Sequence, residues 1–206
     1  MADYIGQYFD EDPNVESKPV SFEKNICGIN FEFKSDRGVF SRGSLDKATE
    51  VLLKEFNDNY IGNPNSIADV GCGYGPIIIF LAKKYIDAQL LGIEPNLRAQ
   101  TLCDFNYKKN VDDSRLSIIV PSELEQKSKF DLIISNPPIR IGKKALYDLL
   151  KIWSNRLTSD GQMWIVMAKH LGADSCVRFL ESQCGLDVTR VASKKGFRIL
   201  KCIPSV

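Results

Sequence analysis

Two stretches carry residue types and spacings that could do chemistry together. Asn136-Pro137-Pro138 offers a side-chain amide oxygen and, from Pro137, a backbone carbonyl. Two acceptors on a stiff double-proline turn can be aimed at the N–H bonds of an amine. An amine conjugated to a ring is a poor nucleophile, because its lone pair is delocalised. Acceptors that hold its N–H bonds let the nitrogen pyramidalise as positive charge develops. No strong general base is needed, and none is evident nearby. A purely structural turn is the competing reading of Asn-Pro-Pro.

The other stretch is Asp69-Val70-Gly71-Cys72-Gly73-Tyr74-Gly75-Pro76. An apolar-leaning run over 67–70 leads in and a helix-like run over 77–85 leads out, which predicts strand, glycine turn and helix. Glycines at alternate positions let the main chain approach a ligand closely. A nucleotide-like cofactor could lie across this turn, at the carboxyl end of the strand. The spacing is Gly-x-Gly-x-Gly, not the Gly-x-Gly-x-x-Gly of dinucleotide enzymes. A tight connection without a ligand competes with that reading. A second strand, 88–93, ends at Glu94, 25 positions after Asp69 and about one βαβ step. A carboxylate there can accept both hydroxyls of a ribose. An exposed strand-end acid is the alternative, weakened because turn, helix, strand and acid arrive in order.

The rest of the chain must position these groups. Residues 1–19 form a polar, acidic arm with Tyr4, Tyr8 and Phe9 interspersed. Phe22, Ile26, Ile29, Phe31 and Phe33 alternate around Cys27-Gly28, which predicts a hairpin. A loop over 35–43 follows, then an amphipathic helix over 45–57 with Leu45, Ala48, Leu52 and Phe56 on one face. Past the break at Gly62-Asn63-Pro64-Asn65, strands and helices alternate. Strands fall at 67–70, 88–93, 115–120, 130–135 and 162–168; helices fall at 77–85, 96–109, 143–156 and 173–184. Helix 96–109 is expected to turn Leu97, Leu102 and Phe105 inward. Strands 186–191 and 197–203 flank a turn at Lys194-Lys195-Gly196 and must pair antiparallel. The alternation predicts an α/β fold with a seven-stranded, mostly parallel sheet and helices on both faces.

Bulk composition narrows the function classes. At 206 residues and 44% apolar, the chain fits one medium soluble domain. A net charge of +1 gives no global drive toward nucleic acid, so such binding would rest on local patches. Arg37 and Arg42 flank Val39-Phe40. Arg140, Lys143 and Lys144 follow Asn-Pro-Pro. Arg190, Lys194, Lys195, Arg198 and Lys201 crowd the final hairpin against one acid, Asp187. Together they could form a basic rim; solvated faces are the bland alternative. No run approaches the length of a membrane helix. Asp3, Asp10, Glu11 and Asp12 precede the first basic residue, Lys18, which does not read as a secretory signal. The six cysteines form no Cys-x-x-Cys pair and His170 stands alone, so reduced thiols, no metal and a cytoplasmic location are expected.

The three anchors together resemble the class I S-adenosylmethionine-dependent methyltransferases that act on amino groups. Gly38-Val39-Phe40-Ser41, Leu45-Asp46, the glycine turn, the run from Ser135 to Lys143 and the ending Lys195-Gly196-Phe197-Arg198-Ile199-Leu200 narrow the likeness. From about Tyr8 onward the chain resembles the catalytic domain of the small-subunit ribosomal RNA guanine-N2 methyltransferases, the RsmC type, and most of all their short, single-domain members. The resemblance implies a Rossmann-like core over 63–206 that binds S-adenosylmethionine, with an arm, hairpin and helix over 1–62 packed on it.

It also implies roles. Gly71, Cys72, Gly73 and Gly75 would line the methionine and ribose part of the cofactor, Asp69 would hold the turn, and Glu94 would take the ribose hydroxyls. Ile93, Pro95 and Ser122-Glu123-Leu124 would sandwich the adenine, with Glu123 near its amino group; a solvated acid is the competing reading of Glu123. Asn136, Pro137 and Pro138 would be catalytic, with Asn136 also counted among the cofactor-binding residues. Phe40, Arg42, Ile139, Arg140, Lys143 and Lys169 would face RNA, the expected partner, as naked rRNA or the assembled subunit. Two departures stand out: Ile139 replaces an aromatic common in amino methyltransferases, and Glu123 replaces the family's usual Asp. Adenine N6, a protein glutamine, and a non-catalytic cofactor-binding subunit are the alternatives.

Overall fold

The computed structural model describes residues 15–138 and 141–205. A β-hairpin opens it: β1 (Val20–Ile26) and β2 (Ile29–Ser35) pair antiparallel. Cys27 and Gly28, at φ 50° and 89°, make the two-residue turn that matches strand twist. Then come α1 (Lys47–Asn59), β3 (Ser66–Val70), α2 (Pro76–Lys84), β4 (Gln89–Ile93), α3 (Leu97–Asn110), β5 (Leu116–Ile119), β6 (Phe130–Ser135), α4 (Lys143–Ser154), β7 (Leu157–Ala168), α5 (Ala173–Cys184), β8 (Leu186–Lys194) and β9 (Phe197–Pro204). The seven-stranded sheet runs β5-β4-β3-β6-β7-β9-β8. It is parallel from β5 to β7, and β9 is antiparallel to both of its neighbours. This is the α/β architecture that the alternating pattern predicts.

Both faces of the sheet are covered, so its strands read as apolar runs rather than alternations. Leu132, Ile133 and Ile134 are all fully buried, yet they serve different layers. Leu132 and Ile134 join Ile67, Trp164, the hairpin, α1, α2 and α3 in one core. Ile133 joins Ala68, Ile165, α4 and α5 in the other. Each such side chain contributes roughly 1.5–3 kcal/mol by leaving water. Helix α2 is apolar all round and correspondingly sealed from Pro76 to Ala82.

Three local expectations need correction. Helix α1 starts at Lys47, because Asp46 caps it: Oδ2 accepts from Thr49 N at 3.0 Å. Leu97 and Phe105 of α3 are about half exposed. The inward face is Ala99, Leu102, Cys103, Asn106 and Tyr107, a helical stripe disguised by its asparagine and tyrosine. Phe105 instead lies under the Lys34 ammonium, 5.0 Å from the ring centre. Strand β7 begins at Leu157, not at residue 162, since the polar run Thr158-Ser159-Asp160-Gly161 hides its first part. Phe130 faces Leu157 while Leu132 faces Gln162, so the intervening residues bulge.

Gly161 closes that bulge against β6. A Cβ there would sit 2.8 Å from the Phe130 carbonyl oxygen, a backbone atom that cannot swing away. Gly161→Ala is expected to destabilise the protein by roughly 1–3 kcal/mol. Urea unfolding should show a lower midpoint with an unchanged slope.

Candidate active site

The groups expected to act together lie at the carboxyl ends of three adjacent parallel strands. β3 ends at Val70 and runs into the glycine turn. β4, on one side, ends before Glu94; β6, on the other, ends before Asn136. Short bonds lock the ends together. Gly71 N and Cys72 N donate to the Ile93 carbonyl at 2.8 and 3.1 Å. Ser135 Oγ donates to the Val70 carbonyl at 2.6 Å. The turn needs its glycines: Gly71, Gly73 and Gly75 have φ of 77°, 57° and 97°. A Cβ at Gly71 or Gly73 would meet nothing within 4 Å, so that side of the turn is open. A Cβ at Gly75 would meet Cys103 Sγ at 2.7 Å, so the third glycine serves packing.

Two carboxyls sit beneath this turn. Asp69 is fully buried; its Oδ2 accepts from Ile78 N at 3.2 Å and its Oδ1 has no partner. The first contact caps α2, whose own N-cap, Gly75, has no side chain to offer. Burial holds the Asp69 carboxyl well above the usual carboxylate range; the Ile78 N–H opposes this and the Glu94 charge adds to it. Glu94 is 6% exposed. Its Oε2 accepts from Gly73 N at 2.9 Å and its Oε1 from Asn96 N at 3.0 Å. Burial raises its pKa, against those two bonds. Each oxygen keeps a second lone pair, so the carboxylate can still accept two hydroxyls. An open glycine cradle, an unpartnered buried carboxyl oxygen and a strand-end acid with lone pairs to spare fit a ribose-bearing cofactor.

Asn136 is partly buried, and both hydrogens of its amide are spoken for. Nδ2 donates to Asp46 Oδ2 at 3.1 Å and to Thr49 Oγ1 at 3.0 Å. Pro137 is buried behind it and Pro138 partly so. Ile139 and Arg140 lie outside the described residues. The loop before α1 leans on the same site. Asn96 Nδ2 donates to the Gly38 carbonyl at 2.8 Å, and Tyr74 Oη to the Ser44 carbonyl at 3.2 Å. Val39 anchors the loop at 2% exposure, while Phe40 remains 48% exposed. Asn106 of α3 ties β2 to the turn, donating to the carbonyls of Lys34 and Tyr74 at 2.9 and 2.8 Å.

Pro95 is half-buried beside Glu94, and Glu123 is exposed with Oε2 accepting from Val120 N at 3.3 Å. Lys143 is exposed with its ammonium 5.3 Å above the Tyr147 ring. Lys169 is exposed four residues past Ile165, the residue paired with Ser135. Arg42 spends Nε and Nη2 on the Lys18 carbonyl, at 3.2 and 2.9 Å. The final hairpin's charges do not stand against Asp187 alone. Arg190 and Arg198 both pair with Asp174 of α5, and Lys194 pairs with Glu55 of α1 at 2.6 Å. Those pairings favour a structural role for them. Cys72 is buried between Gly92 and Cys103; its hydrogen bond to Cys103 and burial hold the thiol far from ionisation.

Asp46, Thr49, Asn96 and Asn106 were not among the expected site residues. Asp46 stands in the Leu45-Asp46 pair quoted for the resemblance, and its helix-cap spacing was a readable signal. The two asparagines act through folding and leave no pattern in the sequence. Among the described residues no helix is long and apolar enough to cross a membrane. None of their His, Cys, Asp and Glu side chains form a group of three or more placed to hold a metal ion.

Residues 30–201 match the family model described as "Methyltransferase small domain". The chain belongs to that family. The protein YbxB of Bacillus subtilis (strain 168) is 33% identical across 94% of this chain and 96% of its own length. The "Ribosomal RNA small subunit methyltransferase C" of Psychromonas ingrahamii is 27% identical across 89% of this chain, which spans only 51% of that protein. Among solved structures, the Thermus thermophilus 16S rRNA N2 G1207 methyltransferase RsmC, in complex with AdoMet and guanosine, superposes with TM-score 0.76 at 22% identity, over 93% of this chain and 52% of that one. A ribosomal protein L11 methylase from Lactobacillus delbrueckii superposes with TM-score 0.65 at 17% identity, over 82% of this chain and 83% of that one. These structural likenesses establish the class I methyltransferase fold.

The two buried acids of the small-domain site carry a stability cost with a definite sign. A raised acid pKa means that the folded protein holds the proton more tightly than the unfolded chain does. That stability is present below the unfolded value, about 3.9 for Asp, and is lost as pH rises through the folded one. Asp69→Asn is therefore expected to raise unfolding stability near neutral pH by about 1–3 kcal/mol, a gain that disappears on acidification. Thermal denaturation at stepped pH measures it; a variant less stable at neutral pH would show that the charge is compensated.

Proposed function

We propose that the chain transfers a methyl group from S-adenosylmethionine to an exocyclic amine, guanine N2 of small-subunit ribosomal RNA. The observation that carries this is the junction at Ser135: its bond to Val70 sets the acceptors Asn136 and Pro137 beside the glycine turn. Asp69, Gly71, Cys72, Gly73, Gly75, Glu94, Pro95 and Glu123 would hold the cofactor. Once bound, S-adenosylmethionine supplies an electrophilic methyl on a sulfonium. Asn136 Oδ1 and the Pro137 carbonyl would accept the two N–H bonds of the target amine. They would draw its hydrogens out of the ring plane and stabilise positive charge as the nitrogen takes the methyl; the carbon–sulfur bond would break, S-adenosylhomocysteine would leave, and the surplus proton of the methylated nitrogen would pass to water. The double proline keeps the backbone acceptor from following the substrate.

The rival atoms lack their partners. Ring-carbon methylation needs a cysteine nucleophile, and Cys72 is sealed and un-ionised. Ribose methylation needs a lysine-centred base set, and Lys169 has no acidic partner among the described residues. The half-exposed Phe40 ring would pack on a base, with Lys143 and Lys169 toward phosphate. The target base must be unpaired or flipped to reach the loop. Guanine is favoured over adenine by the likeness to the Thermus thermophilus N2 G1207 methyltransferase, solved with guanosine, and ribosomal RNA by the relatives named for it. A ribosomal RNA target implies a cytoplasmic enzyme.

The purified chain, labelled S-adenosylmethionine and small ribosomal subunits or naked rRNA from a strain lacking this protein should yield N2-methylguanosine on nucleoside mass spectrometry. N6-methyladenosine or methylated protein would move the assignment to the other amine substrates, and a carbon- or 2′-O-methylated product would overturn it. Asn136→Ala is expected to cut kcat roughly 10²–10³-fold while S-adenosylmethionine affinity by calorimetry barely changes.

A further inference from the structure

We infer that Asp46, the N-cap of α1, and Thr49, on its first turn, are positioning residues that fix which end of the Asn136 amide meets the substrate. This rests on the reading of Asn136 as an acceptor for the target amine. A carboxamide is nearly symmetric in shape, and a half-turn exchanges its acceptor oxygen for a donor NH2. An amine target is served by the oxygen and blocked by the NH2, since donor would then face donor. Nothing within Asn-Pro-Pro selects between the two.

The selection comes from 90 positions upstream in the chain. Asp46 Oδ2 and Thr49 Oγ1 lie 3.1 and 3.0 Å from Asn136 Nδ2 and take up both of its hydrogens. A flipped amide would set its oxygen against the Asp46 carboxylate, which can only accept. The oxygen is thereby turned away from α1. Asp46 cannot drift, because the same Oδ2 caps Thr49 N at 3.0 Å and sits at the positive end of a 13-residue helix. Thr49 is 4% exposed. Ser44, two residues before Asp46, is moored to the glycine turn through Tyr74 Oη.

The carboxylate also polarises what it holds. A negative acceptor on Nδ2–H raises electron density on Oδ1 across the amide. As positive charge grows on the attacking nitrogen, the line Asp46–Asn136–amine would stabilise it; the methylated nitrogen would then give its surplus proton to water, so neither side chain has to take it. Asp46 touches neither substrate nor cofactor; it acts through Asn136.

Three substitutions and one background test this. Asp46→Asn keeps a helix cap but removes the charge and allows the amide pair to reverse. Its kcat should fall roughly tenfold to a hundredfold, with S-adenosylmethionine affinity within about twofold. Thr49→Val keeps the shape and loses the acceptor, for a loss of about three- to tenfold, and Thr49→Ser should recover most of it. In the Asn136→Ala background, Asp46→Asn should cost nothing further; an additive loss would mean that Asp46 acts by another route and would overturn the inference. A readout free of substrate is the Asn136 side-chain amide in 15N-labelled full-length protein. Both hydrogens should exchange slowly in the wild type and faster in Asp46→Asn and Thr49→Val; identical exchange would also overturn it. If Asn136→Ala keeps its turnover, the acceptor reading itself fails. If Asn136→Ala is inactive while Asp46→Asn is as active as wild type, the positioning role alone fails.

Discussion

Strand β3 is an interior strand of the sheet, third of seven, with a parallel partner on each side, and the site depends on that pairing. The chain leaves β3 through the glycine turn and crosses one face to β4. It returns much later to place β6 on the other flank. The order of strands reverses at β3, the kind of switch point at which open α/β sheets take their ligands. Hydrogen bonds then draw the three ends together: Gly71 and Cys72 bond to Ile93, and Ser135 to Val70. Residues 69, 94 and 136 are brought to one end of the sheet by this strand order.

Gathering them has a stability cost. A carboxyl at zero exposure with one oxygen unpartnered is a poor choice for a core. Glu94, sealed nearby, worsens it by its charge. Among the described residues the buried Glu55 has an ionic partner in Lys194 and the buried Arg198 one in Asp174, although Arg198 Nε also lacks a bond. Asp69 has no such partner among them, and it leads into the glycine turn, where the backbone is also in conformations closed to most side chains. Local rules broken together at one place mark a site kept for binding rather than for folding.

Much of this was legible in the sequence, and the rest was hidden for physical reasons. Elements with a strong period or a strong punctuation mark were readable: the Phe31/Phe33 alternation, the glycine turn and the strand before Asn136. The start of β7 was not, because a bulge tolerates the polar residues that otherwise signal a loop. The buried face of α3 was misread because Asn106 is apolar in neither name nor chemistry, yet is buried for its bonds to Lys34 and Tyr74. The basic hairpin was ambiguous because its acids, Asp174 and Glu55, come from other elements and are brought to it only by folding. Asp46 was quotable as a family residue, but its partner 90 positions away could not be seen.

The segment before the core changes meaning once that partner is known. A hairpin, a loop and one helix packed against a Rossmann-like sheet look like cover for an apolar face. They cover it, yet the same packing aims an amide. The two proposed acceptors are preorganised by different means. The Pro137 carbonyl is fixed covalently, by rings that remove backbone torsions. The Asn136 oxygen has no such constraint and takes its direction from α1. That helix is in turn held by Leu52, Leu53 and Phe56, each at 0% exposure. The direction of one side-chain oxygen is therefore a property of the core. A substitution that shifts α1 without unfolding the chain would turn that oxygen while leaving every residue of the Asn-Pro-Pro loop in place.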